Sequence, residues 1–239
     1  MIITTFSNGV RAVVRRSDSQ VSYIGAAIAA GSRDDGEGRD GLAHFVEHTI
    51  FKGTRHRRAW HISNRMESIG GELNAYTTKE ETLIYTNAPA GHASRAIELI
   101  ADLIKNATFP AAEIERERDV IIEEIHSYAD SPSDAVYDEF DELLYAGSSL
   151  AHNILGSEQS VEALTGSDGR EFIESRYTPS NIVLYCVDPG DEQKNMRLLE
   201  KHFGDLSFIG DERHRRAPEE LPPFRETRDR DHQQANTII

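Results

Sequence analysis

DGLAHFVEHTIFKGT, residues 40–54, carries His44, Glu47 and His48 within five positions. Asp40 and Gly41 are expected to start a helix covering about 41–51. On a helical wheel with His44 at 0°, His48 falls at about 40° and Glu47 at about −60°. Leu42, Phe45, Val46 and Ile50 gather on the opposite side. One reading is an ordinary polar helix face. The other is a pair of metal ligands one turn apart, with a carboxylate placed to move a proton.

The second reading is one ligand short, because a tetrahedral catalytic site needs three protein ligands and a fourth position for water. The segment AAEIERERDVIIEEIHSYAD, residues 111–130, supplies candidates. Ile114, Ile121 and Ile125 fall within about 20° of one another's mean direction and define a buried stripe. Glu117, Glu124 and Glu113 flank that stripe, whereas Glu123 points to solvent. Carboxylates at the edge of a buried face are costly unless paired or bound to a cation. Helical phase therefore selects Glu124 over Glu123 as the third ligand. Glu117, two turns earlier, is placed to orient a histidine or to hold the site's charge. The alternative, that these glutamates line a wet boundary, stays open on periodicity alone.

Composition narrows the function. The 239 residues carry a net charge of −15, which argues against nucleic acid as a partner. Residues 110–145 hold twelve acids against Arg116 and Arg118. No run of about 18 apolar residues exists, so no membrane span is expected. The N-terminus starts directly in strand-like alternation, and a cytoplasmic protein is the simplest reading. The single cysteine, Cys186, sits in the apolar run NIVLYCVD and reads as a buried strand residue.

Along the chain, IITTF-SNG-VRAVVRR reads as a hairpin turning on positive φ at Asn8-Gly9. VSYIGAAIAAG reads as a buried strand, and ELNAYTT with ETLIYTNA as a second hairpin. Helices are expected at about 58–69, 90–106, 111–129, 132–146, 167–176 and 191–203, with a strand at 181–187. Hairpins mixed with clustered helices indicate an α+β fold. Residues 1–208 read as one domain. The charged, proline-containing stretch 209–231 reads as a linker, and 232–239 as the first strand of a second, truncated domain.

Three separated blocks, AHFVEHTIFKGT, MESIGGELNAYTTKEETLIY and ERERDVIIEEI, resemble in order and spacing the pitrilysin/insulinase family of inverted-motif zinc peptidases. SNGVRAVV, HNILGSEQSVEAL and RYTPSNIVLYCV extend the resemblance to most of the chain. It implies a LuxS/mitochondrial-processing-peptidase-like metallohydrolase fold, an antiparallel β-sheet packed with helices, present in two similar halves of which this chain is the first. It also implies one Zn²⁺ per chain on His44, His48 and Glu124, with Glu47 as the base that activates zinc-bound water and Glu117 as a further site glutamate. Asn74, Ala75 and Tyr76 match the edge strand that pairs with a peptide substrate. The expected function is a zinc endopeptidase acting on peptides or small unfolded proteins, as a homodimer or with a homologous subunit. The isolated half is expected to be inactive. The rival reading is a non-catalytic partner subunit.

Overall fold

The chain is described by a computed structural model covering residues 1–210, 215–219, 221–228 and 235–238. Strands β1 (Ile2–Thr5) and β2 (Arg11–Arg16) form the first hairpin. Only Gly9 takes positive φ, at 99°, so the expected Asn8-Gly9 pair is corrected to a single left-handed residue. Asn8 instead uses its side chain, donating to the Phe203 and Leu206 carbonyls at 2.8 and 3.0 Å.

Strand β3 (Val21–Ile28) is followed by helix α1 (Leu42–Thr49), whose end tightens into a 3₁₀ turn, Ile50–Lys52. Then come α2 (Ala59–Glu67) and the hairpin of β4 (Glu72–Thr77) and β5 (Thr82–Pro89). Helices α3 (Ala93–Asn106), α4 (Ala111–Ala129) and α5 (Pro132–Leu144) follow. After them stand α6 (Glu158–Ala163), α7 (Gly166–Arg176), β6 (Ile182–Asp188) and α8 (Glu192–Phe203). Sequence periodicity missed α6. Its six residues hold one buried side chain, Val161, and its start is marked by a Ser157–Ser160 capping box rather than by an apolar repeat.

The six strands make one sheet in the order β1-β2-β6-β3-β5-β4. The fold is α+β as expected, and four of the five pairings are antiparallel. The fifth, β2 with β6, is parallel. Strand β6 enters between β2 and β3 and runs antiparallel to β3, which leaves it parallel to β2. One sheet face is buried at every second residue: Ile24, Ala26 and Ile28 on β3, Ile84 and Ala88 on β5, Ile182, Leu184 and Cys186 on β6. Helices α3 and α8 pack against this side. Cys186 is buried and unpaired.

In the stretch read as a linker, the described residues carry neither helix nor strand. Arg215 ties it to the body by pairing with Asp34 and donating to the Glu80 carbonyl. Half of the strand expected over 232–239 falls outside the described residues, and 235–238 are assigned to no strand.

Candidate metal centre

Helix α1 begins at Gly41, whose φ of 86° is left-handed and where an added Cβ would lie 2.5 Å from the Leu155 carbonyl oxygen. Only glycine fits such a position without strain. Gly41 has no side chain to cap the helix. Asp35 reaches in and accepts from the Gly41 and Ala43 amides, both at 2.8 Å, answering donors that the first turn leaves free. Leu42, Phe45 and Val46 then bury one face in the core, which turns His44, Glu47 and His48 toward β4 and α4.

On α4, Ile114 and Ile121 are buried and hold the helix against α1, while Ile125, the third residue of the expected stripe, is only partly buried. Glu117 and Glu124 lie at the boundary and reach the α1 histidines, while Glu123 is exposed. Glu113 does not join them and pairs with Arg116 at 3.1 Å.

Three donor atoms converge. His48 Nε2 lies 3.2 Å from His44 Nε2 and 3.2 Å from Glu124 Oε2, and His44 Nε2 lies 3.6 Å from the same carboxylate oxygen. With ligand bonds of 2.0–2.2 Å, tetrahedral zinc needs neighbouring ligand atoms about 3.3–3.6 Å apart. The donor set and its spacing therefore fit that ion. Burial, with a smaller push from His48, takes His44 down to about 3, so its imidazole is neutral and keeps a lone pair at ordinary pH. His44 Nδ1 is buried with no hydrogen-bond partner among the described residues. His48 is better anchored, with Nδ1 3.0 Å from Glu117 Oε1.

Glu47 stands on the same helix face, and burial raises its carboxyl above the usual range. Thr77 and His48 oppose that shift, and Glu124 adds to it. Thr77 ends β4, so the strand meets the site at its last residue. Among the described residues, β4 is an outer strand of the sheet, paired with β5 alone. Asn74 and Tyr76 are exposed and Ala75 is buried. The Ala75 amide donates to the Asn74 side chain at 2.9 Å, and the Tyr76 ring meets Tyr85 edge-on with centroids 6.4 Å apart.

Sequence reading missed two contributors. Asp35 lies six residues before the helix it caps, and no periodicity marks it. Lys52 Nζ sits 2.6 Å from Glu117 Oε2. Its spacing could have revealed it, because His44, His48 and Lys52 follow one another at intervals of four along one helical face.

The sequence pattern described as insulinase, peptidase family M16, matches residues 11–158, and that of the peptidase M16 inactive domain matches residues 163–239. The mitochondrial-processing peptidase subunit beta of Mus musculus is 34% identical over 225 residues, covering 94% of this chain and 45% of that protein. An uncharacterized zinc protease of Bacillus subtilis, YmxG, is 35% identical over 207 residues, covering 86% of this chain and 50% of that protein. The crystal structure of a protease from Helicobacter pylori superposes with a TM-score of 0.83 at 25% identity, covering 93% of this chain and 54% of the other. The chain spans about half the length of the curated relatives it matches.

Proposed function

The chain belongs to the insulinase family, peptidase family M16, and from that premise we propose that it is the zinc-binding half of a metalloendopeptidase acting on peptides or small unfolded proteins. The observation that carries this reading is the convergence of His44 Nε2, His48 Nε2 and Glu124 Oε2 beside the half-buried Glu47 carboxylate. His44, His48 and Glu124 would hold the ion, one per chain. Zinc bound there would acidify a water and stabilise negative charge on the scissile carbonyl oxygen. Glu47 takes the proton of the attacking water and delivers it to the leaving amide nitrogen. A carboxyl raised by burial is suited to both halves of that exchange, since it must first accept the proton and then hold it long enough to donate.

Glu117 orients His48 through Nδ1. Strand β4 is the docking edge: an extended peptide would add to it as a further strand, along Asn74, Ala75 and Tyr76. The Asn74 side chain occupies the Ala75 amide, and it would have to release that donor as the substrate backbone pairs.

Residues 1–208 form the domain that carries this machinery, 209–231 connect it, and 232–239 open a second domain. The 239 residues alone are expected to be inactive or nearly so. The mouse relative is named as a subunit, which supports assembly with a second copy or a homologous partner. It also keeps a second reading in play, a non-catalytic subunit, although such a role has no use for Glu47 beside three donors.

The deciding experiment measures peptide cleavage by the full-length protein. Cleavage should stop with a chelator and return with Zn²⁺. Glu47→Gln should retain zinc yet lower kcat by about 10³-fold, within the range ascribed to a general acid–base group. Wild-type rates in that variant would remove Glu47 from the mechanism.

A further inference from the structure

Three carboxylates crowd this site. Lys52 pairs with one of them, Glu117, which in turn meets His48. We infer that Lys52 is a positioning residue for the metal ligand His48, acting through Glu117. The inference rests on the zinc-site reading above and adds to it a residue that touches neither the ion nor the substrate.

The geometry is a chain of three side chains. Lys52 Nζ meets Glu117 Oε2 at 2.6 Å, and Glu117 Oε1 meets His48 Nδ1 at 3.0 Å. His48 Nε2 then faces His44 Nε2 and Glu124 Oε2. The first link is sheltered, with the Glu117 and Lys52 side chains 12% and 28% exposed. Backbone structure delivers the lysine. The 3₁₀ turn Ile50–Lys52 continues α1 without a break, so Lys52 lies one turn past His48 with its stem over the same face.

Glu117 and Glu124 project from the same side of α4, seven residues apart. A Glu117 free to rotate could turn an oxygen toward the cation and compete with Glu124. Lys52 occupies one Glu117 oxygen through a charge-assisted bond and commits the other to His48. An anionic acceptor at Nδ1 fixes the proton there and presents the Nε2 lone pair to the ion. Outer partners of this kind contribute about 10–100-fold to metal affinity. A lysine is a point charge on a flexible stem, whereas arginine carries the same charge with a longer reach.

The test titrates the zinc affinity of the intact protein against a chromophoric chelator. Lys52→Met should bind Zn²⁺ about 10–100-fold more weakly, and Lys52→Arg should recover most of that loss. In a Glu117→Gln background, adding Lys52→Met should change affinity by less than about twofold, because coupled residues are not additive. Wild-type affinity in Lys52→Met would overturn the inference, as would an equal loss with and without Glu117. If the wild-type protein takes up no zinc, the metal-site reading itself falls, and this one with it.

Discussion

Two histidine–carboxylate clusters among the described residues, one around Asp102 and one around His44 and His48, differ in what their polar atoms face. Around Asp102 on α3 every acceptor is answered. Its two oxygens take His56 Nδ1 at 2.6 Å, Arg57 Nη1 at 2.6 Å, Thr54 Oγ1 at 2.8 Å and Asn106 Nδ2 at 2.9 Å. Burial alone would raise this carboxyl, but the bonds from His56, Thr54, Arg57 and Asn106 outweigh it and hold Asp102 below its usual range. Glu98 completes the group by pairing with Arg57 and Arg65. Around His44 and His48 the balance is reversed. Lys52 pairs with one of the three carboxylates, Glu117, and three lone-pair donors face one another at 3.2–3.6 Å. A cluster saturated by its own cations needs nothing further. A cluster of converging acceptors is stable only if something positive enters it.

The largest effect that would sharpen this contrast is loss of the third donor. Glu124→Ala should reduce zinc affinity by more than the roughly 100-fold of an outer-shell change, whereas Glu123→Ala, one residue away and exposed, should bind as wild type. Metal content after dialysis reads both. Zinc retained by Glu124→Ala and lost by Glu123→Ala would mean that α4 presents a different face to α1.

The complementary substitution addresses the saturated cluster. Asp102→Ala leaves Arg57 without its main buried partner, and removing one member of a buried pair costs about 3 kcal/mol. Urea unfolding of the metal-free protein should show that loss, with zinc affinity unchanged. A fall in zinc affinity comparable to that of Glu124→Ala would show the two clusters to be one network and break the comparison.

The unequal legibility of these clusters has a physical cause. His44, Glu47, His48, Glu117 and Glu124 all sit on two regular helices, where 100° per residue fixes direction, and α4 was readable to its end residues. The wheel separated Glu124 from Glu123 because Ile114 and Ile121 anchor its phase. The Asp102 cluster draws Thr54, His56 and Arg57 from a loop after the 3₁₀ turn, where no period exists to project them. Asp35 was hidden for the same reason. The parallel pairing of β2 with β6 was equally out of reach, since alternation states which residues are buried but not which strand lies beside which. Asn74, Ala75 and Tyr76 lie on an outer strand as expected, although alternation alone would have read them as plain hairpin.

The smallest effect concerns pH in the metal-free protein. His44 is held down to about 3 when folded, against 6.5 when unfolded. Between those values the unfolded chain binds the extra proton. Stability from this group is therefore fully present above about pH 6.5 and is lost on acidification, at up to about 1.4 kcal/mol per pH unit. Asp102, being depressed below 3.8, loses its contribution only at lower pH, so the window from about 6 to 4.5 separates the clusters. His202, lowered by partial burial, adds a slope of the same sign, whereas Asp35, raised by burial to about 8, and Glu47 and Asp138, also raised by burial, take up protons in the folded state and contribute slopes of the opposite sign. The decisive comparison is thus between wild type and His44→Gln, which cannot take up the proton. Urea unfolding across that window should show less stability lost on acidification in the variant than in the wild type, and an equal change in both would mean that acid enters the fold somewhere other than the cluster of converging donors.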